Sequence, residues 1–352
     1  MPKRYTISEV HRELYKLLKD EKDPVILILL RAAFEAGKKI DNKIRQYQNN
    51  RDLVWWEENR LSGGEIDGID DRIDVGFELL PSEIIKVLCE NFVISYPKAG
   101  RTWLKLLLVK FFQLHFNLKI KDRTVYPKPH GLRLHTKNDK VPIIKFEHMM
   151  GITEDINNEQ AWTNKLDKFN LSNAYRFNNI GLLCRDPRSI LVSMYFHQNR
   201  RLKGGKYQFI GSLTDFIYKT NCLDQIINYH NAWAKHKDAP KRFLLIKYED
   251  LHKETANVLT KILAFFGIKD VKKSHVLQAV KFASFKSMQR LEQNNVFGDG
   301  AMGLKDKDDK ESFKVRQGKI NGYLDYLSED DLVFINKKME KINPFFGYNE
   351  KV

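Results

Sequence analysis

The chain has 352 residues, 42% of them hydrophobic and 12% aromatic. That is enough apolar material for a sizeable core, which excludes wholesale disorder. A formal net charge of +15 favours an anionic partner (nucleic acid, an acidic membrane surface or a polyphosphorylated ligand) without choosing among them, and three scattered cysteines, Cys89, Cys184 and Cys222, exclude a disulfide framework or a zinc site.

Residues 1 to about 85 are rich in charge and helical in pattern, with Ile26, Leu27, Leu29, Leu30 and Phe34 spaced to form one buried face. The early apolar run at 24–30 is far shorter than the ~20 residues of a membrane span, and the opening residues are charged. The reading is a soluble, cytoplasmic protein with no stable membrane insertion. Trp55-Trp56 and Ser62-Gly63-Gly64 mark a break before Ile84. The expected organisation is a helical N-terminal extension, residues 1–86, packed on a domain of residues 87–352.

A βαβ-like pattern then begins. Residues 91–96 (NFVISY) read as a short buried strand, 97–100 as a turn, and 102 to about 116 (TWLKLLLVKFFQLHF) as a helix apolar nearly all round. Further strands are expected at 141–146, 179–184 and 242–247. The last is followed by a helix whose face is marked by Leu259, Ile262, Leu263 and Phe266, with Gly267 as its stop. Strands alternating with helices predict the α/β class: a central parallel sheet covered by helices on both faces. Ligands of such sheets bind beyond the carboxyl ends of the strands.

Three motifs fall at such ends or in later loops. The first, Ser95-Tyr96-Pro97-Lys98-Ala99-Gly100-Arg101-Thr102-Trp103, joins a strand to a helix. A helix N-terminus offers unpaired N–H groups and the positive end of the dipole to a phosphate. The arrangement is P-loop-like, although GxxxxGK[ST] is absent, and its bland reading is a turn with a solvated lysine. The second motif is Cys184-Arg185-Asp186-Pro187-Arg188-Ser189, with Ser193 two helical turns on. Arg185 ends a strand and Pro187 suits a first helical turn, so a guanidinium fork and a hydroxyl could grip another phosphate. The alternative is a surface arginine capped by Asp186. The third motif, Arg316-Gln317-Gly318-Lys319, sets two cations around a glycine, either as an anion cradle or as a solvated charged loop.

In this order the motifs resemble the family of sulfotransferases that use 3′-phosphoadenosine 5′-phosphosulfate (PAPS). The first is similar to the family's SYPKSGTTW loop, the second to its arginine with a serine eight residues on, and the third to its RKGxxGDW signature. Lys247-Tyr248-Glu249-Asp250-Leu251 and Ala283-Ser284-Phe285-Lys286-Ser287-Met288 are similar to its RYEDL and TSFxxM segments. The resemblance spans about 87–348.

The resemblance implies that Lys98, Gly100, Arg101 and Thr102 hold the 5′-phosphosulfate, with Trp103 against the adenine. It implies that Arg185, Ser193, Arg316 and Gly318 hold the 3′-phosphate, and that Tyr248, Ser284 and Phe285 shape the adenine pocket. Ala99, Val315 and Gln317 join the same binding set. Ala99 stands where the family commonly has serine and Arg101 where it has threonine. The general base falls to His148, just after a strand (Ile143-Ile144-Lys145-Phe146-Glu147-His148). An ordinary imidazole pKa suits that work. His115, His130 and His135 compete for the role, and Lys145 has no clear part.

The expected reaction is in-line sulfuryl transfer from PAPS to a hydroxyl or amine of a small molecule or glycan, with 3′-phosphoadenosine 5′-phosphate (PAP) as product, Lys98 assisting, and no metal. The sequence does not name the acceptor, whose pocket is expected from the N-terminal extension and from loops near 117–140, 150–178 and 290–312. The rivals are a nucleotide-dependent phosphotransferase, which would need a Walker lysine-serine pair, and a non-catalytic nucleic-acid binder, which would interleave cations with exposed aromatics.

Overall fold

The expected strands pair into one parallel sheet in the order β2-β1-β3-β4: β1 Asn91–Ser95, β2 Ile144–Glu147, β3 Asn179–Cys184 and β4 Arg242–Lys247. The structure, a computed structural model, describes residues 91–120, 140–148, 175, 178–202, 204–205, 208–296 and 306–350. The readings for 1–86, Cys89, His130 and His135 lie outside the described residues.

Val93 lies between Phe146 of β2 and Gly181 of β3 in the register, and Leu182 opposite Leu245 of β4. All six residues of β3 are buried, because it is flanked by strands and covered on both faces; this is why NIGLLC shows no polar alternation. The strand expected at 141–146 starts instead at Ile144. Pro142 has no N–H to give a ladder, and pairing begins two residues after it.

Helix α1, Arg101–His115, buries Leu104, Leu106, Leu107, Leu108, Val109, Phe111 and Phe112, so the all-round apolar pattern matches a helix enclosed by its neighbours. Helix α2, Pro187–Phe196, starts with proline at its first turn, and the Asp186 side chain accepts from the Arg188 N–H. A π-helical turn, His197–Arg201, prolongs it. Then come α3 Leu213–Lys219, α4 Cys222–His236, α5 Tyr248–Lys253, α6 Thr255–Phe265, α7 Lys273–Phe282, α8 Phe285–Gln293 and α9 Glu329–Met339. Helix α1 packs on α7, and α2 on α4. Gly267 follows α6 with φ 79°, as the stop signal required.

This topology places the site. The chain leaves β1 for β2 on one side and returns to β3 on the other. The carboxyl ends of β1 and β3 therefore flank a topological switch point, where connections diverge and leave a crevice. Both phosphate-type motifs follow these strands. Among the described residues no helix is long and apolar enough to cross a membrane, and Cys184 and Cys222 are buried free thiols.

Candidate functional site

The loop after β1 turns sharply. Lys98 takes φ 69° and Gly100 φ 99°, so the chain enters α1 with its first N–H groups facing outward. Trp103 N and Leu104 N both donate to Gly100 O, at 3.0 and 3.3 Å. The N–H groups of Arg101 and Thr102 precede any intrahelical acceptor. Among the described residues no side chain caps this end, and its first turn holds no acidic residue, so the positive end of the dipole favours an anion. A Cβ on Gly100 would come within 2.6 Å of Tyr248 Cδ2. That ring cannot retreat easily, since it sits 4.4 Å beneath the Arg185 guanidinium and 5.6 Å from the Trp103 ring. Gly100→Ala is expected to cost about 1–3 kcal/mol through the left-handed φ alone and to displace Tyr248. A lowered melting temperature together with weakened nucleotide binding in calorimetry checks this.

Arg185 follows β3 directly. Its Nη1 donates to Lys98 O at 3.2 Å, tying the two phosphate-type loops together, and its Nε is buried with no hydrogen-bond partner among the described residues. Asp186 does not cap it: that carboxylate pairs with Arg188 at 2.8 Å. Arg188 also donates to the carbonyl of Glu350 at 3.0 Å and is a structural clamp on the C-terminal segment. Ser193, two turns up α2, faces the same cavity as Arg185.

The C-terminal motif comes in from the opposite side. Arg316 lies 4.0 Å over the Phe196 ring and donates to Glu311 at 3.0 Å and to the Tyr326 hydroxyl. Gln317 donates to Tyr326 at 3.1 Å. Gly318 has φ 58°, and a Cβ there would come 2.2 Å from Phe285 Cδ2. Of the motif's two cations only Arg316 lines the cavity: Lys319 is bound to Asp325 at 2.8 Å, its side chain 57% exposed. Asp325, six residues on, takes its ammonium outward. Lys314 lines the cavity instead.

The same cavity holds an aromatic slot of Trp103, Tyr248 and Phe285, with Trp103 and Tyr248 edge to face at 5.6 Å between centroids. Trp103 is oriented by its Nε1–H donating to Ala283 O at 2.9 Å, and Ser284, next in the chain, stands at the N-cap position of α8 without a side-chain capping bond and lines the cavity.

His148 stands one residue past β2. Its Nδ1 lies 2.9 Å from Ser95 O. A carbonyl only accepts, so Nδ1 carries the proton and Nε2 keeps a lone pair. Burial, and then the charge of Arg101, push its pKa down to about 3; the Ser95 hydrogen bond opposes them, while Lys105 and Lys314 add to the fall. The imidazole is neutral at ordinary pH. Burial lowers Arg101 to about 10, with Tyr229 and Glu147 pulling the other way. Lys145 pairs with Glu147 at 2.9 Å and is not on the cavity wall.

One cavity of about 470 Å³ gathers Lys98, Gly100, Arg101, Thr102, Trp103, His148, Arg185, Ser193, Tyr248, Ser284, Phe285, Val315, Arg316, Gln317 and Gly318. Ala99 stays apart, fully buried, and contributes only backbone: its N–H closes the turn onto Tyr96 O at 3.3 Å. The competing His115 stacks on Phe111, 5.1 Å between centroids, and does not line the cavity. Four polar or charged wall residues were not anticipated: His197, His252, Thr255 and Lys314. His252 donates from Nε2 to Gly318 O at 2.6 Å. It lies four residues after Tyr248, one helical turn on, and that spacing was a usable signal. Chemically, the cavity offers the cations Lys98, Arg101, Arg185, Lys314 and Arg316, the N–H groups that open α1, the aromatic rings of Trp103, Tyr248 and Phe285, and a neutral imidazole.

The chain has relatives among known proteins. A family model described as "Sulfotransferase domain" matches residues 90–344. The chain is 23% identical to cytosolic sulfotransferase 16 of Arabidopsis thaliana over 328 residues, covering 87% of this chain and 86% of that one. It is 27% identical to the luciferin sulfotransferase of Photinus pyralis over 229 residues, 60% of this chain and 58% of that one. A solved structure of retinol dehydratase in complex with androsterone and the inactive cofactor PAP aligns with a TM-score of 0.45 at 19% identity, covering 71% of this chain and 79% of that one.

Proposed function

The chain belongs to the sulfotransferase family of PAPS-dependent enzymes, and on that footing we propose which groups of its cleft carry out the transfer and to what. The observation that carries the reading is the convergence of Lys98, Gly100, Arg101, Thr102, Arg185 and residues 316–318 on one cavity at the switch point of the sheet. The residues fit a nucleotide with an anion at each end. Arg185 has a buried Nε with no partner among the described residues, and Gly100 and Gly318 each leave space where a Cβ would strike an aromatic ring of the slot.

PAPS supplies a sulfuryl group on an oxygen of its 5′-phosphate. Lys98, with the N–H groups of Arg101 and Thr102, stabilises the charge that grows on the departing phosphate oxygen, as preorganised donors do without reorganising. Arg185, Ser193, Arg316 and the backbone at Gly318 hold the 3′-phosphate, and Trp103, Tyr248 and Phe285 hold the adenine between them. The acceptor is a hydroxyl or amine on a small molecule or glycan. Its oxygen or nitrogen bonds to sulfur as the sulfur–oxygen bond to the 5′-phosphate breaks, and its proton passes to Nε2 of His148.

Burial first, and then the charge of Arg101, hold the His148 imidazole neutral, so Nε2 is unprotonated and can accept the acceptor's proton.

PAP is expected to raise the melting temperature strongly, ATP weakly and single-stranded DNA not at all, since ligands stabilise by mass action in proportion to their affinity for the native state. Equal shifts with PAP and ATP would remove the 3′-phosphate assignment, and a dominant shift with DNA would favour a nucleic-acid binder.

A further inference from the structure

The segment that carries Arg316, Gln317 and Gly318 has no regular structure between the 3-10 turns at Lys310–Ser312 and Gly322–Asp325. Buried backbone in that state needs partners from elsewhere. Glu292, near the end of α8, supplies them. Its side chain is fully buried and accepts from Lys314 N at 2.6 Å and Val315 N at 2.8 Å. Arg201, closing the π-helical turn after α2, donates to the same carboxylate at 3.0 Å and to Ser312 O at 2.7 Å. One carboxylate and one guanidinium therefore fix residues 312, 314 and 315 immediately before Arg316. Neither side chain lines the cavity.

Helix α8 grips this segment at both ends. Phe285, its first residue, packs on Gly318 so closely that a Cβ there would overlap the ring, while Glu292 holds the backbone of 314–315. The same helix start borders the aromatic slot. A buried ion pair is a weak device for stability, because desolvation offsets most of its attraction. It does fix geometry, because each partner aims at specific backbone groups.

We propose that Glu292, with Arg201 as its counter-ion, is a positioning residue for the nucleotide's 3′-phosphate, holding residues 312–318 in the register that presents Arg316 and the Gly318 backbone to it; this rests on the reading of the cleft as the PAPS site. The pair acts through the loop and touches no ligand atom.

The test compares PAP with 5′-AMP, which lacks the 3′-phosphate, by calorimetric titration of the parent, Glu292→Gln and Arg201→Met, with melting temperatures alongside. Glu292→Gln keeps the size but turns an amide NH₂ towards N–H donors. Arg201→Met keeps the apolar stem. Both variants are expected to lose about 10–100-fold in PAP affinity while binding 5′-AMP as the parent does, so the preference for PAP collapses. A lowered melting temperature with the parent's PAP to 5′-AMP ratio intact would show a pair that only supports the fold, and would overturn the proposal. Failure of both variants to fold would overturn it too. A parent that itself shows no preference for PAP removes the cleft reading and the proposal together.

Discussion

His148→Ala lowers turnover by about 10²–10⁴-fold, the usual worth of a positioned general base, and leaves PAP affinity close to the parent's. Two observations set this expectation. The Nδ1 hydrogen bond to Ser95 O at 2.9 Å commits the proton to the far side of the ring, so Nε2 is the basic atom. Its place after β2, with Ser95 O and Arg101 beside it, sets it next to the loop proposed to hold the 5′-phosphosulfate. Single-turnover rates and calorimetry on the same variant separate the two effects. Loss of both binding and folding would mean a packing histidine, and unchanged turnover would move the base elsewhere.

Arg185→Ala is expected to weaken PAP by about 10–100-fold, the scale of losing charge-assisted hydrogen bonds in a partly desolvated site. The side chain does three things at once. It tethers the first loop through Lys98 O at 3.2 Å, covers the Tyr248 ring at 4.4 Å, and lines the cavity, its buried Nε without a partner among the described residues. Arg185→Lys is not expected to rescue, because an ammonium cannot reproduce a planar fork that bonds and stacks together. Arg316→Ala should cost less, since Glu311 and Tyr326 already share its guanidinium. Calorimetry showing parental affinity in Arg185→Ala would make this residue a surface charge.

Much of the fold could be read from the chain because its signals are local. Strands β3 and β4 begin and end where the apolar runs 179–184 and 242–247 do, and α1 differs from expectation by one residue at each end. Strand β2 was misjudged at its start because a periodicity argument does not register the donor that Pro142 lacks. The phosphate-type motifs were legible for the same reason: a left-handed glycine, a strand end and a helix start are encoded within a few neighbouring residues. Contacts between distant segments were not. Glu292 on α8 reads as one more solvated helix charge until Arg201, 91 residues away in sequence, is seen against it. Lys319 reads as a cradle cation until Asp325 takes it outward.

The central claim is tested most directly by a crystal structure of the protein soaked with PAP. The account requires the 3′-phosphate between Arg185, Ser193 and the 316–318 backbone, the adenine between Trp103, Tyr248 and Phe285, and the 5′-phosphate on the N–H groups of Arg101 and Thr102 within reach of Lys98. PAP bound in the reverse sense, or outside the cavity bounded by these residues, would contradict it.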